Sequence, residues 1–266
     1  MQNSELLSAI EGLARQAGQA IMKIYNREFE ITQKEDASPL TEADSAAHHL
    51  IVEGLEALGL GIPILSEEDL AAFSGTDQQG RYWLVDPLDG TKEFIKHNGE
   101  FTVNIALIEK GKPLLGVVDA PACQWAYSAI VAEGANKIIY NAEGEELERQ
   151  AIQVETLLPK RWRVVGSRSH LSDSMKEWLE RLQDFEILPM GSSLKLCRVA
   201  EGLADIYPRL GPTSLWDTAA AQAVVEAAGG VVVTLNGKPL DYSSPQETLN
   251  PSFLVVAKNN LSSVIN

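Results

Sequence analysis

Residues 83–94, WLVDPLDGTKEF, limit what this chain can fold into more than any other stretch. An apolar run ends at Asp86 and Pro87, a second acid follows at Asp89, and Gly90 and Thr91 come next. In a continuing strand, residues i and i+3 point to opposite faces, so Asp86 and Asp89 converge only if the backbone turns after Val85. Pro87 favours such a turn by fixing φ and removing a donor. Gly90 lets the backbone approach a ligand closely. A strand end of this kind presents two carboxylates and unpaired carbonyls, a hard-oxygen set suited to Mg²⁺ rather than to a soft metal. An Asp-Pro turn whose second Asp caps the next segment has the same sequence, and the string by itself leaves both readings open.

Other acids stand at similar positions. Glu67 in ILSEED follows a short apolar run, Asp44 sits in TEAD, and Asp217 sits in SLWDTAAAQAV. Thr41-x-x-Asp44 and Ser214-x-x-Asp217 each fit a capping box, in which an acid near N3 satisfies backbone donors and the helix dipole. A capped helix start can also face a shared cleft, so the two roles are compatible.

Several phosphate and metal chemistries are excluded by spacing. Aspartyl-nucleophile phosphatases carry their acids two apart, whereas Asp86 and Asp89 are three apart. There is no G-x-x-x-x-G-K-[ST] loop, and no cysteine sits in an Arg-bearing phosphate loop. The four histidines show no H-x-x-x-H spacing, which argues against a zinc hydrolase.

The formal net charge of −15 speaks against a nucleic-acid partner, which would require basic patches. A phosphorylated small molecule remains compatible if metal ions reverse the charge locally. The two cysteines, Cys123 and Cys197, lie in apolar runs and read as buried free thiols of a reducing compartment. The N-terminal stretch lacks the features of a signal peptide. The apolar stretch at 218–235 is broken by Gln222, Glu226 and a Gly-Gly pair, so no integral membrane segment is expected. A cytoplasmic location is expected. Peripheral attachment to the cytoplasmic face of the inner membrane stays open, although the first helix carries little Lys or Arg on its polar face and packing on the fold is favoured.

Apolar side chains from Leu6 to Ile24 trace a helical stripe, and a second helix opens near Thr41. Short strands are expected at GIPILS and Tyr82–Val85, then a hairpin across Lys110-Gly111-Lys112, then strands near 124–131 and 136–140. The polar NAEGEELERQ reads as a loop and as the boundary between two halves, 1–145 and 146–266. The second half alternates strand and helix. The expected class is α/β, with an α+β N-terminal half beside an α/β C-terminal half.

Taken together, WLVDPLDGTKEF, the SEE before it and WDTAAAQAV after it resemble the inositol monophosphatase superfamily of Mg²⁺-dependent, Li⁺-sensitive phosphatases. The likeness points to its CysQ-type branch, the 3'(2'),5'-bisphosphate nucleotidases, and runs from SPLTEAD to LNPSF. It implies a layered α-β-α-β-α sugar-phosphatase fold. It also implies that Glu67, Asp86, Asp89, Asp217 and the carbonyl of Leu88 bind two or three Mg²⁺ ions, with Asp44 and Thr91 activating the water.

The substrate implied is 3'-phosphoadenosine 5'-phosphate, cleaved to AMP and phosphate in sulfate assimilation, with 3'-phosphoadenosine 5'-phosphosulfate as a second candidate. The implied substrate contacts are Glu67, Leu88, Asp89, Gly90, Thr91, His170, Ser192, Lys195, Arg209 and Asp217. Where inositol phosphatases carry a Glu for ring hydroxyls, this chain has Pro208-Arg209, and a bidentate Arg suits a second phosphate. Asp119 in GVVDAP and Ala221 in WDTAAAQ depart from the branch, and Asp119 is expected to bring an extra negative charge near the site. The rival readings are an inositol monophosphatase or sugar phosphatase of the same superfamily and, in another class, a non-catalytic nucleotide or metal sensor. Oligomeric state is not legible.

Overall fold

The computed structural model of the chain describes residues 1–27, 31–33, 39–166 and 172–265. The N-terminal half comprises α1 (Asn3–Tyr25), β1 (Ile31–Gln33), β2 (Pro39–Thr41), α2 (Glu42–Ala57), β3 (Ile64–Ser66), β4 (Arg81–Asp89) and α3 (Thr91–Ile95). It continues through β5 (Thr102–Glu109), β6 (Lys112–Ala120), β7 (Trp125–Ile130) and β8 (Gly134–Tyr140), and β9 (Glu146–Ile152) follows just past the expected boundary. The remainder comprises β10 (Trp162–Gly166), α4 (Asp173–Leu179), β11 (Phe185–Pro189), α5 (Leu194–Ala200), β12 (Ile206–Arg209), α6 (Ala219–Ala227), β13 (Gly230–Thr234) and β14 (Phe253–Ala257).

Strands β3 to β9 form one seven-stranded sheet in sequence order, and a five-stranded sheet runs β11-β10-β12-β14-β13. In the first sheet only the β3–β4 pair is parallel. In the second, β10 pairs parallel with both β11 and β12.

The central strands of both sheets, such as β5, β6 and β14, are buried on both faces, which is why they read as nearly continuous apolar runs. Along β5, Val103, Ile105 and Leu107 pack with α1 and α2, while Ala106 and Ile108 join the core around α5 and α6. Along β14, Phe253, Val255 and Ala257 face α5 and α6, while Leu254 and Val256 face α4. The two-residue period of a strand thus sorts side chains into successive cores, giving layers of helix, sheet, helix, sheet, helix. The expected α/β class and layered fold are what the chain adopts.

Several local expectations hold, and three change. The hairpin at Lys110-Gly111 forms with both residues at positive φ, 50° and 76°, as a tight primed turn requires. Within 141–150, expected as a loop, residues 146–150 belong instead to β9. Its polar side chains are exposed because it is the last strand of the sheet, where only β8 covers it. Strand β4 does not end at Val85 but runs on to Asp89, with a register shift against β5 between Asp86 and Asp89. That bulge, rather than a full turn, supplies the local bend the paired acids require.

Asp119 is the third change. It shares a face of β6 with Val117, toward α1, where Arg15 Nη1 lies 3.6 Å from its carboxylate. It therefore sits across the sheet from α5 and adds no charge to the site. Ala221 is buried in α6 among apolar neighbours. Of the thiols, Cys197 is buried and Cys123 half-buried, and both are free. No helix among the described residues is long and apolar enough to cross a membrane.

Candidate active site

Ligand atoms of Asp86, Asp89 and Asp217 lie within 4.8 Å of one another. Asp86 and Asp89 come from the bulged end of β4. Asp217 comes from the turn before α6, where its Oδ2 accepts from the Ser214 N–H at 2.8 Å. The expected capping box does not form: Asp217 closes on the Ser214 N–H, but Ser214 caps no helix, since α6 begins at Ala219 with Thr218 as its N-cap. Glu67 joins the group just after β3, its N–H bonded to the Val85 carbonyl at 3.1 Å. Burial, then the charges of Glu67, Asp89 and Asp217, hold the Asp86 carboxyl well above its ordinary range. Burial, with Asp89 close by, pushes Asp217 up to about 7.

Asp86 is engaged on one side only. Its Oδ1 accepts from the Leu88 N–H at 3.0 Å, while Oδ2 is buried with no hydrogen-bond partner among the described residues. An orphaned carboxylate oxygen inside a cluster of like charges is costly unless a cation sits against it. Four acids and the Leu88 carbonyl, all oxygen donors, fit a hard divalent ion.

Asp44 and Thr91 meet as the sequence predicts, and the capping role of Asp44 is also real. Asp44 Oδ2 accepts from Thr41 N and from Thr41 Oγ1, each at 2.7 Å. Its Oδ1 faces the Thr91 hydroxyl at 3.4 Å, and that hydroxyl is also 3.3 Å from the Leu88 carbonyl. The cap therefore fixes the carboxylate and turns its other oxygen toward Thr91. Gly90, at φ 89°, brings the chain into this corner; a Cβ there would lie 3.1 Å from the Glu100 carbonyl and 3.4 Å from Ser192 Cβ.

A cavity of about 300 Å³ adjoins the acids, and Gly90, Ser192, Lys195, Arg209 and Asp217 are among its lining residues. Burial holds the Lys195 amine below its ordinary value, opposed by Asp89, and its Nζ lies 5.7 Å from the Tyr207 ring centre. Arg209 donates from Nη2 to the Pro212 carbonyl at 2.7 Å, while its Nε is buried without a partner among the described residues. Lys195 and Arg209 thus line the cavity beside the acids, together with Lys92. His170 lies outside the described residues.

Sequence reasoning missed Thr102, Asn104 and Ser193. Thr102 and Asn104 are 0% and 1% exposed on the α5-facing side of β5. Asn104 Nδ2 donates to Ser193 Oγ at 2.9 Å, and Thr102 Oγ1 lies 2.6 Å from Ser192 Oγ. The signal was present as two polar residues inside the otherwise apolar FTVNIALI.

Known proteins resemble this chain over nearly its whole length. A profile of the inositol monophosphatase family matches residues 2–263. The chain belongs to the inositol monophosphatase family. It is 52% identical to the 3'(2'),5'-bisphosphate nucleotidase CysQ of Salmonella typhimurium, over 94% of this chain and 99% of that protein. Identity to CysQ of Escherichia coli K12 is 51% over the same shares. The crystal structure of CysQ from Bacteroides thetaiotaomicron superposes with a TM-score of 0.79 at 38% identity, covering 96% of this chain and 97% of that one. Enzymes of this family are metal-dependent phosphatases, and the acid cluster is the part of this chain that fits a metal.

Proposed function

We propose that the chain is a Mg²⁺-dependent 3'(2'),5'-bisphosphate nucleotidase that cleaves 3'-phosphoadenosine 5'-phosphate to AMP and phosphate. The observation that carries this reading is a cavity in which Asp89 and Asp217, two acids of the hard-oxygen cluster, stand with Lys195 and Arg209. The nucleotidase relatives at about half identity over almost their full length support the same substrate class.

Glu67, Asp86, Asp89, Asp217 and the Leu88 carbonyl would hold the Mg²⁺ ions, two or three in number. When bound, such ions supply Lewis-acid stabilisation of phosphoryl charge and lower the pKa of water. The protein's own part begins at Asp44. Its Oδ2 is fixed by two donors from Thr41, so Oδ1 can accept the Thr91 proton. The Thr91 oxygen is then an acceptor able to orient the attacking water and take its proton, with Asp44 as the final base. Arg209 and Lys195 bind the second phosphate of the substrate and set it at a fixed distance from the acids. Arg209 has donors in a planar fork suited to phosphate, and the fork has nothing comparable to offer a neutral inositol ring.

The purified protein, incubated with 3'-phosphoadenosine 5'-phosphate, tests the reading directly. Equal amounts of AMP and phosphate with Mg²⁺, inhibition by Li⁺ and no product in EDTA are expected. Tight nucleotide binding without turnover on any bisphosphate would overturn the assignment in favour of a sensor.

A further inference from the structure

Asp89 has a carboxylate oxygen engaged by several groups of the C-terminal half. Its Oδ2 receives the Ser192 hydroxyl at 2.6 Å, the Ser193 N–H at 2.6 Å and the Ser193 hydroxyl at 2.7 Å. The Ser192 hydroxyl and the Ser193 N–H already fill the lone-pair capacity of that oxygen, with the Ser193 hydroxyl shared between it and the Asp217 carbonyl, leaving Oδ1 as the one available to a cation. The donors come from a turn that is itself unfavourable, since Ser192 has φ 54° without being glycine. Something must hold it.

That support comes from β5. A hydroxyl carries one proton. With the Ser192 proton committed to Asp89, the 2.6 Å contact is made by the Thr102 proton, which Asn104 Oδ1 at 3.0 Å shares, so the chain of donors runs from Thr102 through Ser192 to Asp89. Asn104 Nδ2 donates to Ser193 Oγ at 2.9 Å, which orients a hydroxyl that reaches both Asp89 Oδ2 and the Asp217 carbonyl at 2.7 Å. Gly191, next in the turn, is tied at its N–H to Glu100 Oε2 at 2.8 Å. Thr102 and Asn104 occupy positions where the strand is otherwise apolar and buried on both sides, so their polar groups are a cost unless every one is used.

We infer that Thr102 and Asn104 are positioning residues for the cation site, acting through Ser192 and Ser193 to fix the carboxylate of Asp89. This rests on the reading that the acid cluster holds a divalent cation. It predicts that the affinity of the site is set from a neighbouring strand that touches neither cation nor substrate, and that the two halves of the chain assemble the site jointly. Partners of this kind, one shell away from a metal, typically govern its affinity by ten- to a hundredfold.

The test measures Mn²⁺ binding to the substrate-free protein by electron paramagnetic resonance. The set comprises wild type, Asp217→Asn, Thr102→Val, Thr102→Ser and Asn104→Ser. Thr102→Val keeps the shape of the side chain and removes its donor, and should weaken Mn²⁺ binding about tenfold or more. Thr102→Ser keeps the hydroxyl and should restore affinity to near the wild-type value. Asn104→Ser is a second probe, read only in preparations whose thermal melting is cooperative. Wild-type binding that Asp217→Asn abolishes but Thr102→Val leaves unchanged would sink the positioning role and leave the cation site standing. No Mn²⁺ binding by the wild type would sink both.

Discussion

Replacing Asp119 with asparagine removes a carboxyl group that burial pushes up to about 7, against the opposing pull of Arg15. The residue is 1% exposed. At 3.6 Å the Arg15 contact is an ion pair but too long for a hydrogen bond, and neither carboxylate oxygen has a hydrogen-bond partner among the described residues. In the unfolded chain the same group titrates near about 3.9. Between those two values the folded protein holds a proton that the unfolded chain has released, so stability falls as pH rises from about 4 to about 7 and is flat above. The slope is about 1.4 kcal/mol per pH unit, and over roughly three units the loss is about 4 kcal/mol. Asp119→Asn keeps the shape and cannot ionise. The assay is urea unfolding of both proteins at several pH values between about 4.5 and 8.5. All other titrating groups are common to both proteins, so the difference isolates Asp119. The variant should gain on the wild type by about 1.4 kcal/mol per pH unit up to about pH 7, and by nothing further above it. A difference that stays constant across the range would refute the account of a buried, poorly compensated carboxyl.

Other perturbations separate substrate recognition, chemistry and packing. Arg209→Ala should lower kcat/KM on a bisphosphate nucleotide by about 10- to 100-fold, the worth of a charged hydrogen bond, while hydrolysis of a monophosphate ester stays near the wild-type rate; steady-state kinetics on both substrates reads it. Thr91→Val removes the hydroxyl that faces Asp44 and should reduce kcat by about 10²–10⁴, with Mn²⁺ affinity retained in the same preparation. Gly116→Ala places a Cβ 2.6 Å from the Ala220 carbonyl oxygen and 2.9 Å from Ala220 Cα, both α6 backbone. Helix α6 must shift, at a cost of about 1–3 kcal/mol, visible as a fall in Tm.

The acids were legible as candidates because each stands beside a local signal, a proline turn for Asp86 and Asp89, a capping threonine for Asp44 and a strand end for Glu67, but as one set only through the resemblance of WLVDPLDGTKEF, SEE and WDTAAAQAV. Asp217 was legible as an acid that closes on Ser214, though not as one placed two residues ahead of its helix. Thr102 and Asn104 were not, because their partners are about 90 residues away, at the start of α5, and the meaning of a buried polar group depends on what the fold brings opposite it. Asp119 was misjudged for the same reason. Its neighbours along the chain suggest the site, but strand alternation turns it to the other face, against Arg15 and Gly18. Strand β9 was missed because a last strand with polar exposed side chains has a loop's composition; only its pairing with β8 distinguishes it.

The central claim is that Arg209 and Lys195 give a metal-dependent phosphatase site its preference for a second phosphate. The measurement that tests it most directly is kcat/KM for 3'-phosphoadenosine 5'-phosphate and for inositol 1-phosphate, in parallel, with Mg²⁺ and with EDTA. A Mg²⁺-dependent preference for the nucleotide by more than about tenfold, the least that a lost charged hydrogen bond costs, is predicted. Equal or better turnover of the inositol ester would leave the acid cluster as the metal site and contradict the assignment of the substrate.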